Sequence, residues 1–255
     1  MYKVVKRLVD IILSGIAIVL LSPLMIVLAI LVKIKLGSPP LFKQKRPGKD
    51  MKIYQYHKFK TMNDEKDENG NLLSDDARLT AFGAKLRSTS LDELPQFFDI
   101  FMGKMSIVGP RPQTVENIMF MSKEQKQRQI VIPGLTGLAQ INGRNNTTWD
   151  ERVKYDLEYI DRQSIALDIK IFFITIKKVF EQSDINQESN DNKSATSATF
   201  ETMGDYLLRT KQITKEEYLN TKYQISKKAY ITKKNTPQYL VCNFFEFETD
   251  ANIVK

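Results

Sequence analysis

The chain holds one cysteine, one histidine and one tryptophan in 255 residues. A lone Cys242 excludes an internal disulfide and suits a reducing, cytosolic setting. A lone His57 excludes a His-rich metal site, so any metal would be a hard cation held by carboxylates and phosphates. With no partner near it in the sequence, His57 reads as a packed or exposed ring rather than a catalytic base. No long internal repeat is present. Acidic residues are scarce at the start: residues 1–60 carry twelve Lys or Arg against only Asp10 and Asp50. That excess is a footprint for anionic lipid head groups or phosphate-bearing substrates. Nucleic acid is the competing partner for a basic chain, but no nucleic-acid motif is found.

Between these basic residues lies Ile11 to Val32, an uncharged and mostly apolar run of 22 residues. About 20 such residues cross the hydrocarbon core. Yet Lys3, Lys6 and Arg7 precede the run while Lys33 and Lys35 follow it. A straight span would place one basic cluster on the wrong side. Ser22-Pro23 sits in the middle, where proline removes one helical hydrogen bond. Each half is about 15–18 Å long at ~1.5 Å per residue, half the core thickness. Charge and length therefore favour a re-entrant segment with both ends cytoplasmic over a Pro-kinked span. Ser22 is placed to satisfy a freed carbonyl at the bend. No cleavage site of the A-x-A kind follows, against a secretory signal.

Four regions follow from composition: a membrane segment (1–36), a body (37–182), a polar linker (183–202) and a C-terminal tail (203–255). The expected class is α/β, a helix-dominated α+β body. Leu41 to Met62 predicts a short strand or hairpin and Asn63 to Asp76 an exposed loop. Ala77 to Thr89, Leu91 to Met102 and Thr114 to Ile130 read as helices. Leu94, Phe97, Phe98 and Phe101 share one face. Thr148-x-x-Glu151 is a capping box opening another helix, with Asp156, Glu158 and Asp161 on its wet face. Ala166 to Phe180 is apolar enough to be buried or to lie on a membrane. Met203 to Tyr230 is helical, with a cap at Ile213 to Glu217, and Gln238 to Thr249 reads as a strand.

The chemistry concentrates between Arg87 and Arg111. Asp92 and Glu93 are adjacent carboxylates before Pro95, which is tolerated in a first helical turn. They are thus placed at a helix N-terminus, whose dipole favours ionised carboxylate and also phosphate. An ionised Asp can attack phosphorus. A neighbouring carboxylate can share Mg2+ with substrate phosphates. Arg87 and Arg111 supply forked donors for phosphate oxygens, and Lys58 and Lys60 add point charges. Acidic residues at a helix start are also ordinary caps, and Pro110-Arg111-Pro112 is also simply a stiff turn.

In order, the motifs are KRLVDI (Lys6–Ile11), Ser22-Pro23, QKRPG (Gln44–Gly48), KFKTM (Lys58–Met62), SLDELPQ (Ser90–Gln96), MSIVGPRP (Met105–Pro112), PGLTGLAQINGRN (Pro133–Asn145) and YDLEYI (Tyr155–Ile160). This set resembles the bacterial sugar transferases called monotopic phosphoglycosyl transferases. Within them, the DEKDENGNLL and INGRN stretches are most similar to the small members that handle diacetylbacillosamine. The resemblance implies a re-entrant helix broken at Ser22-Pro23 on the cytosolic face of the bacterial inner membrane. It implies transfer of a phosphosugar from a UDP-sugar to undecaprenyl phosphate, with release of UMP and with Mg2+ as cofactor. Asp92 would be the nucleophile of a ping-pong mechanism and Glu93 an organiser of the site, with both carboxylates as the implied metal ligands. Arg87 would hold phosphate, Pro110, Arg111 and Pro112 would lie near the nucleotide, and Arg144 and Asp156 would make sugar or structural contacts.

The tail stretch YLLRTKQITKEEYLNTKYQIS resembles a short helical module of the SHOCT type, with Lys211 where that pattern prefers Gly. Such a tail could bind a partner, downstream glycosyltransferases included, or be a solvated appendage. The rival reading of the whole is a non-catalytic membrane-surface adaptor.

Overall fold

The computed structural model describes residues 1–143, 147–181 and 201–234. The architecture is helix-dominated α+β, as expected, and the chain divides into two compact units. The first comprises Met1–Gln44, Gln55–Val108 and the region from Ser164; the second comprises Lys45–Tyr54, Gly109–Gln163 and the C-terminal region. The polar linker and the strand expected around Cys242 fall outside the described residues, apart from Glu201 and Thr202.

In the first unit, α1 (Tyr2–Leu36) runs as one helix with Pro23 in its interior, so the break expected at Ser22-Pro23 does not interrupt it. Proline cannot donate to the carbonyl four residues back, which is that of Val19. The Ser22 hydroxyl donates to that carbonyl at 2.8 Å. The helix is long and apolar enough to cross a membrane. Asp10, Ser14, Met25, Leu28, Val32 and Leu36 form a buried stripe. Ile12, Ile16, Val19, Ile26, Ile30 and Ile34 are among its exposed residues.

Each charged residue of KRLVDI has a partner. Arg7 donates to the carbonyls of Ile100 (2.7 Å) and Phe101 (2.8 Å), at the end of α4 (Gln96–Phe101). A cation is favoured at that end of a helix. Lys6 pairs with Asp168 at 2.8 Å, on α8 (Ile165–Glu181). The Asp10 carboxylate accepts the Ile107 N–H at 2.9 Å, in β3 (Ser106–Val108). The other half of α1 joins Phe59 and Leu86 in an apolar cluster with Phe82, Leu91 and Leu94.

The expected hairpin is present as β1 (Leu41–Pro47) and β2 (Ile53–Phe59). The helix expected at Ala77–Thr89 is broken into α2 (Asp75–Arg78) and α3 (Ala81–Ser88). Thr80 is extended and accepts the Gly83 N–H on its hydroxyl, starting a new helix. The helix expected at Leu91–Met102 is likewise a 3-10 turn, Leu91–Glu93, followed by α4. In α4 the polar Gln96 and Asp99 are buried while Phe98, Phe101 and Met102 are exposed.

In the second unit, Thr114–Ile130 is not one helix but α5 (Val115–Met119) and a 3-10 helix at Gln125–Ile130. Ser122 and Gln125 cap each other's backbone N–H groups and start the second piece. After β4 (Gly134–Thr136) and α6 (Leu138–Ile141), the expected capping box opens α7 (Trp149–Asp161), with both of its bonds formed. The tail folds as α9 (Met203–Arg209) and α10 (Lys215–Lys234), with Thr214 and Glu217 capping α10. Met203, Tyr206 and Leu207 join Ile118, Met121, Trp149 and Val153 in one core.

Lys211, between these helices, has φ 58. An L side chain there is strained by about 1–2 kcal/mol. Lys211→Gly should therefore raise stability by about 0.5–1 kcal/mol after the unfolded-state entropy of glycine is counted; thermal unfolding in detergent would measure it.

Candidate active site

The SLDELPQ turn and KFKTM meet through α3. An added Cβ at Gly83 would overlap the Thr61 carbonyl, so only glycine lets α3 approach this closely. Thr61 is buried, and its hydroxyl accepts from Arg87 Nε at 3.0 Å. The guanidinium is thereby fixed. Burial pushes the Arg87 pKa down, and the Asp92 charge opposes this most strongly, followed by Asp75.

Asp92 is only 5% exposed. It lies in the 3-10 turn Leu91–Glu93, entered through Ser90 at φ 56. The dyad thus sits one turn ahead of α4, which Pro95 precedes directly, rather than in that helix's own first turn. The carboxylates face different surroundings: Asp92 is shielded beside Arg87, whereas Glu93 is half-buried. Among the described residues no three His, Cys, Asp or Glu side chains gather in one place. Two adjacent carboxylates suit Mg2+, which keeps waters and phosphate oxygens for its remaining positions. Lys58 lies with its ammonium 5.4 Å from the Phe42 ring centroid, and Lys60 pairs with Asp64.

His57 is a packed ring, one of the two alternatives read from sequence, and its partner lies far away in the chain. Its Nδ1 is 2.9 Å from Asp99 Oδ1, and its backbone N–H donates to Asp99 Oδ2 at 3.1 Å. Gln96 donates to the Tyr56 hydroxyl at 2.7 Å alongside. These bonds stitch β2, which leads into Thr61, to α4, which follows Asp92-Glu93. No local sequence pattern signals a pairing across 42 residues.

In the second unit, every carbonyl of Pro110-Arg111-Pro112 is held. That of Pro110 accepts from Gly134 N at 2.9 Å and that of Arg111 from Arg128 Nη2 at 2.7 Å. That of Pro112 accepts from Arg46. A Cβ at Gly134 would overlap the Gly109 backbone, which explains the glycine there.

Arg128 also binds Asp156 Oδ2 through Nε (2.9 Å) and Nη2 (2.5 Å). Asp156 is 3% exposed, so it is not on the wet face of α7 as expected. Among the described residues its buried Oδ1 has no hydrogen-bond partner. Burial raises its pKa, and Arg128 chiefly opposes the shift.

Arg152, one turn before Asp156 on α7, donates to Thr147 at 3.2 Å and stacks 5.5 Å over Trp149. Its pKa is lowered first by burial and then by the charge of Arg111, with Asp156 opposing. Arg128 and Arg152 thus both act on the Asp156 carboxylate, and the Arg111 charge acts on Arg152, a net positive cluster suited to phosphate. Arg46, Arg128 and Arg152 were missed from sequence. The four-residue spacing of Arg152 and Asp156, on one face of a helix, was the available signal. Arg144 lies outside the described residues.

The profile of the bacterial sugar transferase family matches residues 1–182. The chain is 40% identical over 187 residues to the uncharacterized sugar transferase EpsL of Bacillus subtilis, covering 73% of this chain and 93% of that protein. It is 44% identical to a UDP-glucose:undecaprenyl-phosphate glucose-1-phosphate transferase of Klebsiella pneumoniae, over 69% of this chain but only 40% of that protein. A UDP-N-acetylgalactosamine-undecaprenyl-phosphate N-acetylgalactosaminephosphotransferase of Aeromonas hydrophila is 37% identical, over 70% of this chain and 44% of its own length. The chain belongs to the bacterial sugar transferase family.

Burial pushes the Asp99 carboxyl up from its ordinary value; the His57 bonds, and more weakly Lys104, pull it back. A carboxyl whose folded pKa exceeds its unfolded value loses stability as pH rises between the two. His57→Phe removes the ring bond and should extend that window upward. Its loss of stability should be about 3 kcal/mol near neutral pH, for a buried charged acceptor left short of partners. The loss should be smaller near the unfolded carboxyl value of about pH 4. Asp99→Asn in the same background should remove the pH dependence. Equal losses at both pH values would contradict the assignment.

Proposed function

We propose that this chain transfers a phosphosugar from a UDP-sugar to undecaprenyl phosphate and releases UMP. The observation that carries this reading is Asp92, shielded from water beside a guanidinium pinned by Thr61. The names of the Klebsiella and Aeromonas relatives support the substrate classes. An Asp92 oxygen attacks the β-phosphorus. The bond from that phosphorus to the bridging oxygen breaks, and UMP departs with the electron pair. Arg87 meets the charge that develops on the phosphoryl oxygens. A phosphate oxygen of undecaprenyl phosphate then attacks the same phosphorus, giving the undecaprenyl-diphosphosugar and restoring the Asp92 carboxylate. Mg2+, held by Asp92 and Glu93, would neutralise charge on the diphosphate. The arginines around Asp156 are the second phosphate-binding element.

Asp92→Asn should abolish UMP release, by at least about three orders of magnitude if the covalent route is obligatory. Folding and membrane attachment should be retained. A panel of UDP-glucose, UDP-N-acetyl sugars and UDP-diacetylbacillosamine with undecaprenyl phosphate identifies the donor. Labelled donor should leave its label on position 92. Full activity of Asp92→Asn would overturn Asp92 as the nucleophile, and no UMP release by the intact protein with any donor would favour the adaptor reading instead.

The same reading seats the first unit on the cytosolic face of the inner membrane, with α1 entering and leaving on one side. Two observations support it. Arg7 and Asp10 near one end of α1, and Met25 to Leu36 at the other, all bind elements of the same unit. Ser22 occupies the carbonyl that Pro23 frees. Apolar residues exposed on α1, α4 and α8, such as Ile16, Phe101 and Phe173, would meet lipid. In a Cys242→Ser background, Lys3→Cys and Lys35→Cys should both react with an impermeant thiol reagent from the cytosolic side of sealed vesicles. Labelling from opposite sides would reject re-entry.

A further inference from the structure

The family match ends at residue 182, yet the hairpin of α9 and α10 is built into the second unit. Met203 is fully buried there. A Cβ at Gly204 would come within 2.6 Å of the Phe120 ring, and Phe120 in turn stacks on Tyr218 of α10 at 5.6 Å. Lys222 of α10 pairs with Glu116 of α5. A solvated appendage would show none of this complementarity.

Two short routes lead from the hairpin to the arginine cluster. On one, the Met203 N–H donates to Asn117 Oδ1 at 3.1 Å, and Asn117 Nδ2 donates to Gln113 Oε1 at 3.3 Å. Gln113 directly follows Pro112, in the loop that carries Arg111. On the other, Trp149 Nε1 donates to the Glu201 carbonyl at 3.3 Å, and Asp150 accepts from Tyr206 (2.7 Å) and Gln212 (3.0 Å). Trp149 is the ring on which Arg152 stacks.

We propose that the C-terminal hairpin is a brace that positions Arg111 and Arg152 for phosphate. In this chain the hairpin holds α5 and the first turn of α7, and through them the two guanidiniums. The proposal rests on reading the arginine cluster as a phosphate-binding element, and it makes Glu201 to Lys222 positioning residues rather than catalytic ones.

The test uses the full-length protein in detergent, hydrogen exchange resolved by segment, and the affinity for UDP. Gly204→Val wedges the hairpin away from Phe120. Lys222→Glu replaces the ion pair with a repulsion, and Glu116→Lys/Lys222→Glu restores it in reverse. Gly204→Val should speed exchange in α5 and α7 while leaving α3 and α4 unchanged. It should weaken UDP binding about tenfold, or about 1.4 kcal/mol. Lys222→Glu should act in the same direction more weakly, and the charge swap should recover both readouts. Should Gly204→Val not fold, the charge series decides alone. Freeing of the hairpin with unchanged exchange in α5 and α7, or with unchanged UDP affinity, would overturn the brace. If the intact protein binds no UDP, the phosphate reading of the cluster falls, and the exchange result still decides whether the hairpin braces its arginines.

Discussion

Taking a carboxylate out of water costs several kcal/mol unless a cation or hydrogen bonds replace the lost hydration. Asp92 is almost wholly shielded, and Arg87 is a nearby charge that offsets part of this cost. Arg87 is itself desolvated and needs a fixed seat, which the Thr61 hydroxyl supplies. Thr61 is pressed against Gly83 and reached from β2, and β2 is tied to α4 by Tyr56–Gln96 and His57–Asp99. The far end of α4 is held by Arg7 of α1. A continuous line of polar contacts thus runs from the apolar N-terminal helix to the carboxylate. Each link is within one unit, so the site's geometry depends on α1 being docked, not merely on its being hydrophobic.

The dyad also illustrates how neighbours in sequence acquire different chemistry. In a 3-10 turn successive side chains diverge by about 120°. Asp92 points into the shielded space near Arg87, while Glu93 is left half-buried. A nucleophile gains from partial dehydration next to a fixed cation, whereas a group that recruits a hydrated metal gains from access to water. The turn thus gives the two carboxylates unlike surroundings, the difference on which the proposed division of roles draws.

Legibility in the sequence followed the range of the interaction. The capping boxes at Thr148 and Thr214 and the Ser22–Val19 bond span four residues each, the hairpin closes over a short loop, and each was readable. The Asp92-Glu93 motif was readable as chemistry but not as geometry, because a 3-10 turn and a helix start carry the same residues. Asp156 was misread because an acid beside Lys154 and Glu158 looks solvated until Arg128, 28 residues earlier, is brought to it. The Asp99 partner of His57 was hidden for the same reason. The breaks in the expected helices came from Thr80 and Ser122, side chains whose caps outweighed a continuous apolar period.

The orientation of α4 follows from the solvent it would face. In water, burying Gln96 and Asp99 while exposing Phe98, Phe101 and Met102 reverses the usual preference. On a lipid-facing surface the reversal is what the energetics favour, since the aromatic side chains meet hydrocarbon and every polar group must find a partner within the protein. Gln96 has Tyr56, Asp99 has His57, and the terminal carbonyls of α4 have Arg7. The same logic places Asp10 and Ser14 on the buried stripe of α1 and leaves its isoleucines outward. A soluble ancestor of this surface would need the opposite pattern. The burial of Gln96 and Asp99 beneath exposed aromatic side chains is therefore a support, from packing rather than from hydropathy, for the proposed membrane-facing surface.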